Sequence, residues 1–213
     1  MKRIGVLALA FLAIVAVVAW AAWYTSRPSG SAGDLARSSD PKKRSAAVDR
    51  LASSADDPAT AMLRDLARDK DEWVAVKAVR TLGRHRTPER RDLLSRMVKD
   101  SSLSARARGE AAATLGGFQD ADPTVLTSTL ATDPNPKARA GAARGLVRLR
   151  KPQTLPQLVQ ALSDPDPRVR AYANAAIHNM IVRRFPFDPK QPPETQRQAI
   201  ARITAYLKQC GML

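Results

Sequence analysis

A long-period pattern of apolar positions runs along this chain: a leucine or isoleucine closes an alanine-rich run about every 31 residues. Successive markers of this kind lie 31, 33, 31 and 31 residues apart. An alanine stands four residues before each marker. Such spacing places both positions on one side of an α-helix, with alanine where another helix packs closely. The markers are Leu51, Leu82, Leu115, Leu146 and Ile177, and the alanines are Ala47, Ala78, Ala111, Ala142 and Ala173.

A second set of shorter helices is predicted between the marker helices, because apolar positions such as Leu63 and Leu66 recur there at helical spacing. Several of these segments open with an oxygen-bearing residue followed by proline. That pair favours a helix start, since the side chain caps the free N–H groups and proline fits the first turn. Each unit is therefore predicted to be a pair of antiparallel helices. The starts are Asp57-Pro58, Thr87-Pro88 and Asp122-Pro123.

Two segments, residues 133–146 and 164–177, share the pattern Asp-Pro-x-Pro-x-(Val or Ala)-Arg-x-x-Ala-x-x-x-(Leu or Ile), and weaker copies precede the other three markers. The pattern resembles the HEAT-repeat family, in particular its short form associated with bilin lyase subunits. The resemblance spans roughly residues 35–184. It implies an all-α fold, a right-handed α-solenoid of about five HEAT-like helix pairs. Such repeats serve many unrelated roles, so the resemblance specifies fold more than function.

The ends of the array are predicted from composition. Residues 28–40 are rich in Ser and Gly and predict a tether with a weak first helix, and residues 41–184 form the repeat array. Residues 185–213 predict a capping helix, from about residue 193 to 209, that packs on the fifth pair. Its apolar face consists of Ala199, Ile200, Ile203, Tyr206 and Leu207, with Gln196 and other polar residues largely elsewhere.

The first 27 residues predict a membrane anchor or a signal peptide. Lys2 and Arg3 precede an uncharged apolar stretch over residues 4–24. Twenty-one helical residues rise about 30 Å, the thickness of a bilayer's hydrocarbon core, which favours a retained transmembrane helix. Cleavage within the segment Ala19-Trp20-Ala21 is the alternative. Either reading predicts that the N-terminus stays inside and the array is exported, membrane-bound in one case and periplasmic or secreted in the other.

The chain is strongly basic. It has 35 Lys and Arg against 20 Asp and Glu, a net charge of +15. This excess is compatible with an anionic partner, although a solvated basic surface would produce the same count. The single cysteine, Cys210, can make no internal disulfide and no cysteine-rich zinc site.

Little in the sequence suggests catalysis. The two histidines, His85 and His178, belong to no metal or nucleophile motif, and the carboxylates fall mainly in turns, where helices need capping acceptors. We therefore predict that the protein is not an enzyme and binds no metal and no cofactor. A lyase-type role would rest on the repeat resemblance alone.

An arginine stands seven residues before four of the five markers. Equivalent positions of stacked repeats lie near one another, so these arginines predict a ladder paired with turn aspartates such as Asp133 and Asp164. Ala75 interrupts the ladder in the second repeat. The ladder residues are Arg44, Arg108, Arg139 and Arg170.

Positions two before and two after each marker lie roughly opposite the packed alanines, on the face that the resemblance implies is concave. Repeats two and four each carry two arginines there, flanking small residues in repeat three. Guanidinium groups suit carboxylates and phosphates, so these residues predict a site for an acidic peptide or another anion. Trp73 is either buried against the next repeat or a binding hot spot on this face. The arginines are Arg80, Arg84, Arg144 and Arg148.

Two functions follow from these features. The first is a non-catalytic protein–protein interaction scaffold, anchored in the membrane with its array exported. The second is polyanion binding at an anionic membrane or a cell-wall surface. Nucleic acid is disfavoured by the export signal and by the lack of stacking aromatic residues beyond Trp73.

Overall fold

A computed structural model describes residues 30–181 and 183–213 of the chain, and these residues form helices without any strand. The helices have the lengths expected of paired repeats, and a 3₁₀ turn at Pro152–Thr154 precedes the ninth. They are α1 Ala32–Ala36, α2 Pro41–Leu51, α3 Asp57–Leu66, α4 Glu72–Leu82, α5 Pro88–Lys99, α6 Ala105–Leu115, α7 Pro123–Thr132, α8 Pro136–Leu149, α9 Leu155–Ala161, α10 Pro167–His178 and α11 Pro193–Gln209.

Side-chain caps define most of the helix starts. Asp40 accepts a hydrogen bond from the Lys42 backbone N–H, and Asp166 accepts one from that of Arg168, in each case with proline in the first turn. A cap of this kind contributes about 1 kcal/mol, because it satisfies an N–H that has no partner within the helix. The turn carboxylates therefore serve the fold, as their positions in the sequence suggest.

The helices form five antiparallel pairs whose core is built from the repeated columns. The odd-numbered helices α1 to α9 are the first helices of the pairs, and the even-numbered helices α2 to α10 are the second helices. All five marker residues are buried, and all five preceding alanines are completely buried. The first helices contribute leucines such as Leu63, Leu94, Leu126 and Leu158, each 0 % exposed. The all-α solenoid predicted from the sequence is confirmed.

Helices α6 and α8 pack with their backbones in contact. A Cβ atom on Gly141 would lie 2.1 Å from the carbonyl oxygen of Gly109, and one on Gly116 would lie 2.1 Å from that of Gly145. Side chains at these positions would force the two helices apart. The second helices pack more closely on one another than the first helices do, as is expected of the helices that line the inner, concave side of a solenoid.

The two ends of the array differ. Helix α1 lies within the segment predicted as a tether and packs on α2 through the buried Leu35. At the other end, α11 packs on α9 and buries Ile203 and Leu207. Gln196, predicted to lie off the packed face, is buried, because its amide donates hydrogen bonds to the carbonyls of Pro189 and Gln191.

The predicted anchor, residues 4–24, lies outside the described residues. Within residues 30–181 and 183–213, none of the helices has both the length and the apolar composition needed to cross a bilayer.

Candidate functional site

Arg44 shows how the arginines seven residues before the markers are used. Its Nε and Nη2 atoms donate to the two carboxylate oxygens of Asp69, at 2.6 and 2.8 Å. Its Nη1 donates to the carbonyls of Ser38 and Ser39. The pair is almost completely buried, with side-chain exposures of 7 % and 5 %. The hydrogen bond to Asp69 raises the pKa of Arg44, so the guanidinium stays charged. One arginine thus ties its own turn to the next repeat.

The same arrangement recurs along the stack. Arg108 pairs with Asp133 at 3.2 Å, and Arg139 pairs with Asp164 at 2.8 Å. Arg170, in the last repeat, has no further repeat to hold and donates instead to the Pro189 carbonyl in the connection to α11. The structure therefore places three of the four predicted ladder residues between adjacent repeats, and the fourth, Arg170, between the last repeat and the connection to α11.

At the interruption in repeat two, a different residue makes the contact. Ala75 carries no charge, and Asp100, the aspartate that an arginine there would reach, pairs with Arg68 from the turn between α3 and α4. The Arg68 side chain is 43 % exposed, so this ion pair is more accessible to solvent than the pair of Arg44 and Asp69. A charged link between these two repeats is kept by a residue outside the repeat columns.

Glu110 lies between two of the predicted groove arginines, and the sequence reasoning missed it. Arg80 Nε lies 3.1 Å from Glu110 Oε1, and Arg144 Nη2 lies 2.7 Å from Oε2. Burial alone would raise the pKa of the Glu110 carboxyl, but the hydrogen bonds and charges of the two arginines outweigh it and lower the pKa. The Glu110 carboxylate is therefore favoured in its ionised form, and it already pairs with Arg80 and Arg144.

Arg84 and Arg148 behave differently from Arg80 and Arg144. Together with Arg80 and Arg86 they line a hollow of about 160 Å³ beside α6, which we call the arginine hollow. Arg84, Arg86 and Arg148 make no ion pair with any residue in the described part of the chain. The four predicted groove arginines thus separate into Arg80 and Arg144, which share one internal carboxylate, and Arg84 and Arg148, which have no carboxylate partner among the described residues.

A larger concavity, which we call the central groove, crosses the faces of α4, α6, α8 and α10. Its volume is about 390 Å³. Arg80, Glu110 and Arg144 lie along one wall and three basic residues along the other, with the small residues Gly109, Ala140 and Gly141 between them where α6 and α8 touch. The basic residues of the second wall are Arg106, Lys137 and Arg168.

Trp73 stands at the start of α4 and is 69 % exposed. The Arg106 guanidinium lies over its ring, 4.1 Å from the ring centroid, and Arg106 also pairs with Glu72 at 3.2 Å. Trp73 holds the same position relative to its marker, Leu82, as Arg106 does to Leu115. It therefore belongs to the row that forms the second wall of the central groove.

The two histidines take part in local packing. His85 Nε2 donates to the carbonyl of Ala52 at 3.1 Å, next to the end of α2. His178 Nε2 accepts from the Phe185 backbone N–H at 3.3 Å, and burial together with the charge of Arg184 lowers the pKa of His178. Among the described residues there is no group of three or more His, Cys, Asp or Glu side chains that could hold a metal ion.

Comparison with known proteins identifies the repeat. The family model described as HEAT repeats matches residues 32–116 and 123–180. No curated protein matches the chain. Solved structures similar to it include an engineered protein (18% identity, 82% of this chain and 84% of that chain, TM-score 0.41) and a designed armadillo repeat protein (18%, 82% and 87%, 0.41). A further engineered protein matches at 18% identity over 81% of this chain and 50% of that chain, with a TM-score of 0.40.

Proposed function

Since the chain belongs to the HEAT-repeat family, we propose that it is a non-catalytic scaffold that binds an acidic segment of another protein across its concave face. The observation that carries the proposal is the central groove, whose walls carry five basic side chains and whose floor is formed by small residues where α6 and α8 touch. Solenoids of this kind present extended concave surfaces for binding.

Charge and aromatic surface both favour such an occupant. Five basic side chains line the central groove against one carboxylate, Glu110. Each of the five has an internal carboxylate nearby: Glu110 pairs with Arg80 and Arg144, Glu72 with Arg106 and Lys137, and Asp166 with Arg168. Five cations thus face three carboxylates, and two positive charges remain for an acidic partner. The exposed ring of Trp73 adds apolar area next to the basic wall, and exposed aromatic residues of this type are enriched in binding hot spots.

The proposed setting is the outer side of a membrane. Lys2 and Arg3, followed by the apolar stretch over residues 4–24, support a single-pass anchor with the N-terminus inside and the array outside. Fractionation tests this part separately. We expect the full chain to remain with the membrane after alkaline carbonate washing, and release into the soluble fraction would indicate cleavage.

The binding proposal is tested by crosslinking the full chain in native membranes. Reversing Arg80 or Arg144 would place a second carboxylate beside Glu110 and disturb the fold. The sharper variants are Trp73→Ala, and Arg84→Glu with Arg148→Glu in the arginine hollow, which adjoins the central groove at Arg80 and Glu110. The matched control is Arg202→Glu, on the exposed side of α11. We expect both test variants to lose a crosslinked partner that the control retains. Partners unchanged in every variant would contradict the proposal.

Polyanion binding is the second candidate, favoured by the net charge of +15 and by the unpaired arginines of the hollow. It predicts retention on mixed anionic polymers that falls steeply with salt, because neutralised anionic charges release their counterions. A scaffold that recognises one acidic segment would instead show weak retention and a shallow salt dependence. Absence of retention at low salt would exclude polyanion binding.

A further inference from the structure

The arginine hollow is placed by contacts among α4, α6 and the turn that follows α4. Gly83 ends α4 so close to α6 that a Cβ there would lie 2.2 Å from Thr114 Cγ2. His85, between Arg84 and Arg86, is held by its hydrogen bond to the Ala52 carbonyl. This turn is therefore anchored on the side opposite the hollow, which fixes the backbone from which two of the arginines extend.

The floor and the far wall come from the next two units. Gly117, just beyond α6, has no side chain, and a Cβ there would lie 3.7 Å from an Nη2 atom of Arg86. Arg148 approaches from α8 and makes only a long contact, 3.5 Å, from its Nη1 to the Ala113 carbonyl. The hollow is thus an open space lined by guanidinium groups from α4, the turn after it and α8, with α6 and Gly117 between them.

Its charge is not compensated from within. Glu110 is the only carboxylate that lines the hollow, and it is bound by Arg80 and by Arg144. No carboxylate in the described part of the chain pairs with Arg84, Arg86 or Arg148. Bringing like charges together is unfavourable, and an anion between them would remove that cost.

We propose that the arginine hollow binds a single tetrahedral oxyanion of the phosphate class. Its volume of about 160 Å³ lies well below the roughly 300 to 1,000 Å³ of pockets that hold drug-sized ligands, so the ligand is a small ion or the end group of a small molecule. The planar forks of arginine match phosphate oxygens and strengthen binding by charge-assisted hydrogen bonds. The inference does not depend on the proposed protein partner, although the central groove and the arginine hollow share Arg80 and Glu110.

Thermal unfolding of the full chain in non-ionic detergent tests the inference. Inorganic phosphate is compared with chloride and with acetate at equal ionic strength, and the midpoint shift gives Kd by mass action. We expect phosphate to raise the midpoint in the wild type and in Arg202→Gln. Replacing Arg84→Gln and Arg148→Gln together should weaken phosphate binding by at least about tenfold, since each loses a charged hydrogen bond.

Two results would overturn the assignment: no midpoint shift from phosphate beyond that from chloride, or the same shift in the double variant. An equal shift from acetate would overturn the phosphate class. A second variant, Gly117→Asp, keeps every arginine and places a carboxylate in the hollow. It should abolish the phosphate effect, and a retained effect would also contradict the inference. A larger shift from glycerol 3-phosphate than from phosphate would identify a phosphomonoester as the natural source.

Discussion

Arginine has two separate roles in this protein, and the arginine ladder and the arginine hollow illustrate the difference. Arg44 has all three of its nitrogen donors engaged and is nearly buried, whereas Arg84 is exposed and has no carboxylate partner among the described residues. The comparison shows that the net charge of +15 comes from arginines with different roles. Part of the basic charge holds repeats together, and only the remainder is available to a ligand.

The two environments follow from position on the helix. A ladder arginine lies in the first turn of a second helix, near the turn carbonyls of its own unit and the turn aspartate of the next. Arg80, Arg84, Arg144 and Arg148 lie near the opposite ends of these helices, where few carboxylates are within reach. The same side chain is therefore structural at one end of a helix and, in Arg84 and Arg148, available at the other, whereas Arg80 and Arg144 are held by Glu110.

The largest expected effect on stability comes from removing a ladder arginine. We expect Arg44→Leu to lower the free energy of unfolding by about 3 to 5 kcal/mol, because it leaves the buried Asp69 without its partner. The control is Arg64→Leu, whose pair with Asp65 is exposed, and there the loss should stay below about 0.5 kcal/mol. Urea unfolding measures both, and equal losses would contradict the structural role of the ladder.

Acid should weaken the ladder as well. Burial would raise the pKa of the Asp69 carboxyl, but the hydrogen bonds from Arg44 and from the Asp71 backbone N–H, with the charge of Arg44, together outweigh it and lower the pKa below its usual value near 4. A carboxyl with a depressed folded pKa stabilises the fold above its unfolded pKa and loses that contribution as the pH falls through the folded pKa. We expect a loss of stability below about pH 4 that is smaller in Asp69→Asn. Identical pH profiles would show that the pair contributes nothing.

Glu110 combines features of the ladder and of the hollow. Its side chain is largely buried, like that of a ladder carboxylate, but it pairs with arginines of the concave face. We expect Glu110→Gln to cost about 1 to 2 kcal/mol of unfolding free energy, since two charged hydrogen bonds become weaker. The same change should tighten phosphate binding several-fold by removing a negative charge from the hollow. The matched control is Glu194→Gln, an exposed pair on α11. Loss of stability without tighter phosphate binding would separate Glu110 from the hollow.

Removing a hollow arginine should have the smallest effect on stability. We expect Arg84→Gln to change the free energy of unfolding by less than about 0.5 kcal/mol, as for other exposed side chains without partners. Arg202→Gln is the control for loss of one positive charge, and urea unfolding of both variants is the measurement. A cost above about 1 kcal/mol would show that Arg84 has a structural role.

The sequence was sufficient to predict the repeats, the paired helices and the positions of the ladder arginines, because each depends on spacing within one unit. Glu110 was missed because its two pairs join residues 30 and 34 positions apart. Its signal was nevertheless present: among the residues five before each marker, it is the only acidic one. Arg86 lies outside every repeat column, and only the bend after α4 brings it to the hollow.

The exchange of arginine side-chain Nε–H protons in the full chain, followed by NMR before and after addition of phosphate, tests the central claim most directly. The Nε atoms of Arg44, Arg108, Arg139 and Arg170 all donate hydrogen bonds, so their protons should exchange slowly and remain unaffected by phosphate. Those of Arg84 and Arg148 should exchange fast and become protected when phosphate binds. Protection of Arg84 and Arg148 without any ligand, or a response to phosphate confined to the ladder, would contradict the division between structural and available arginines.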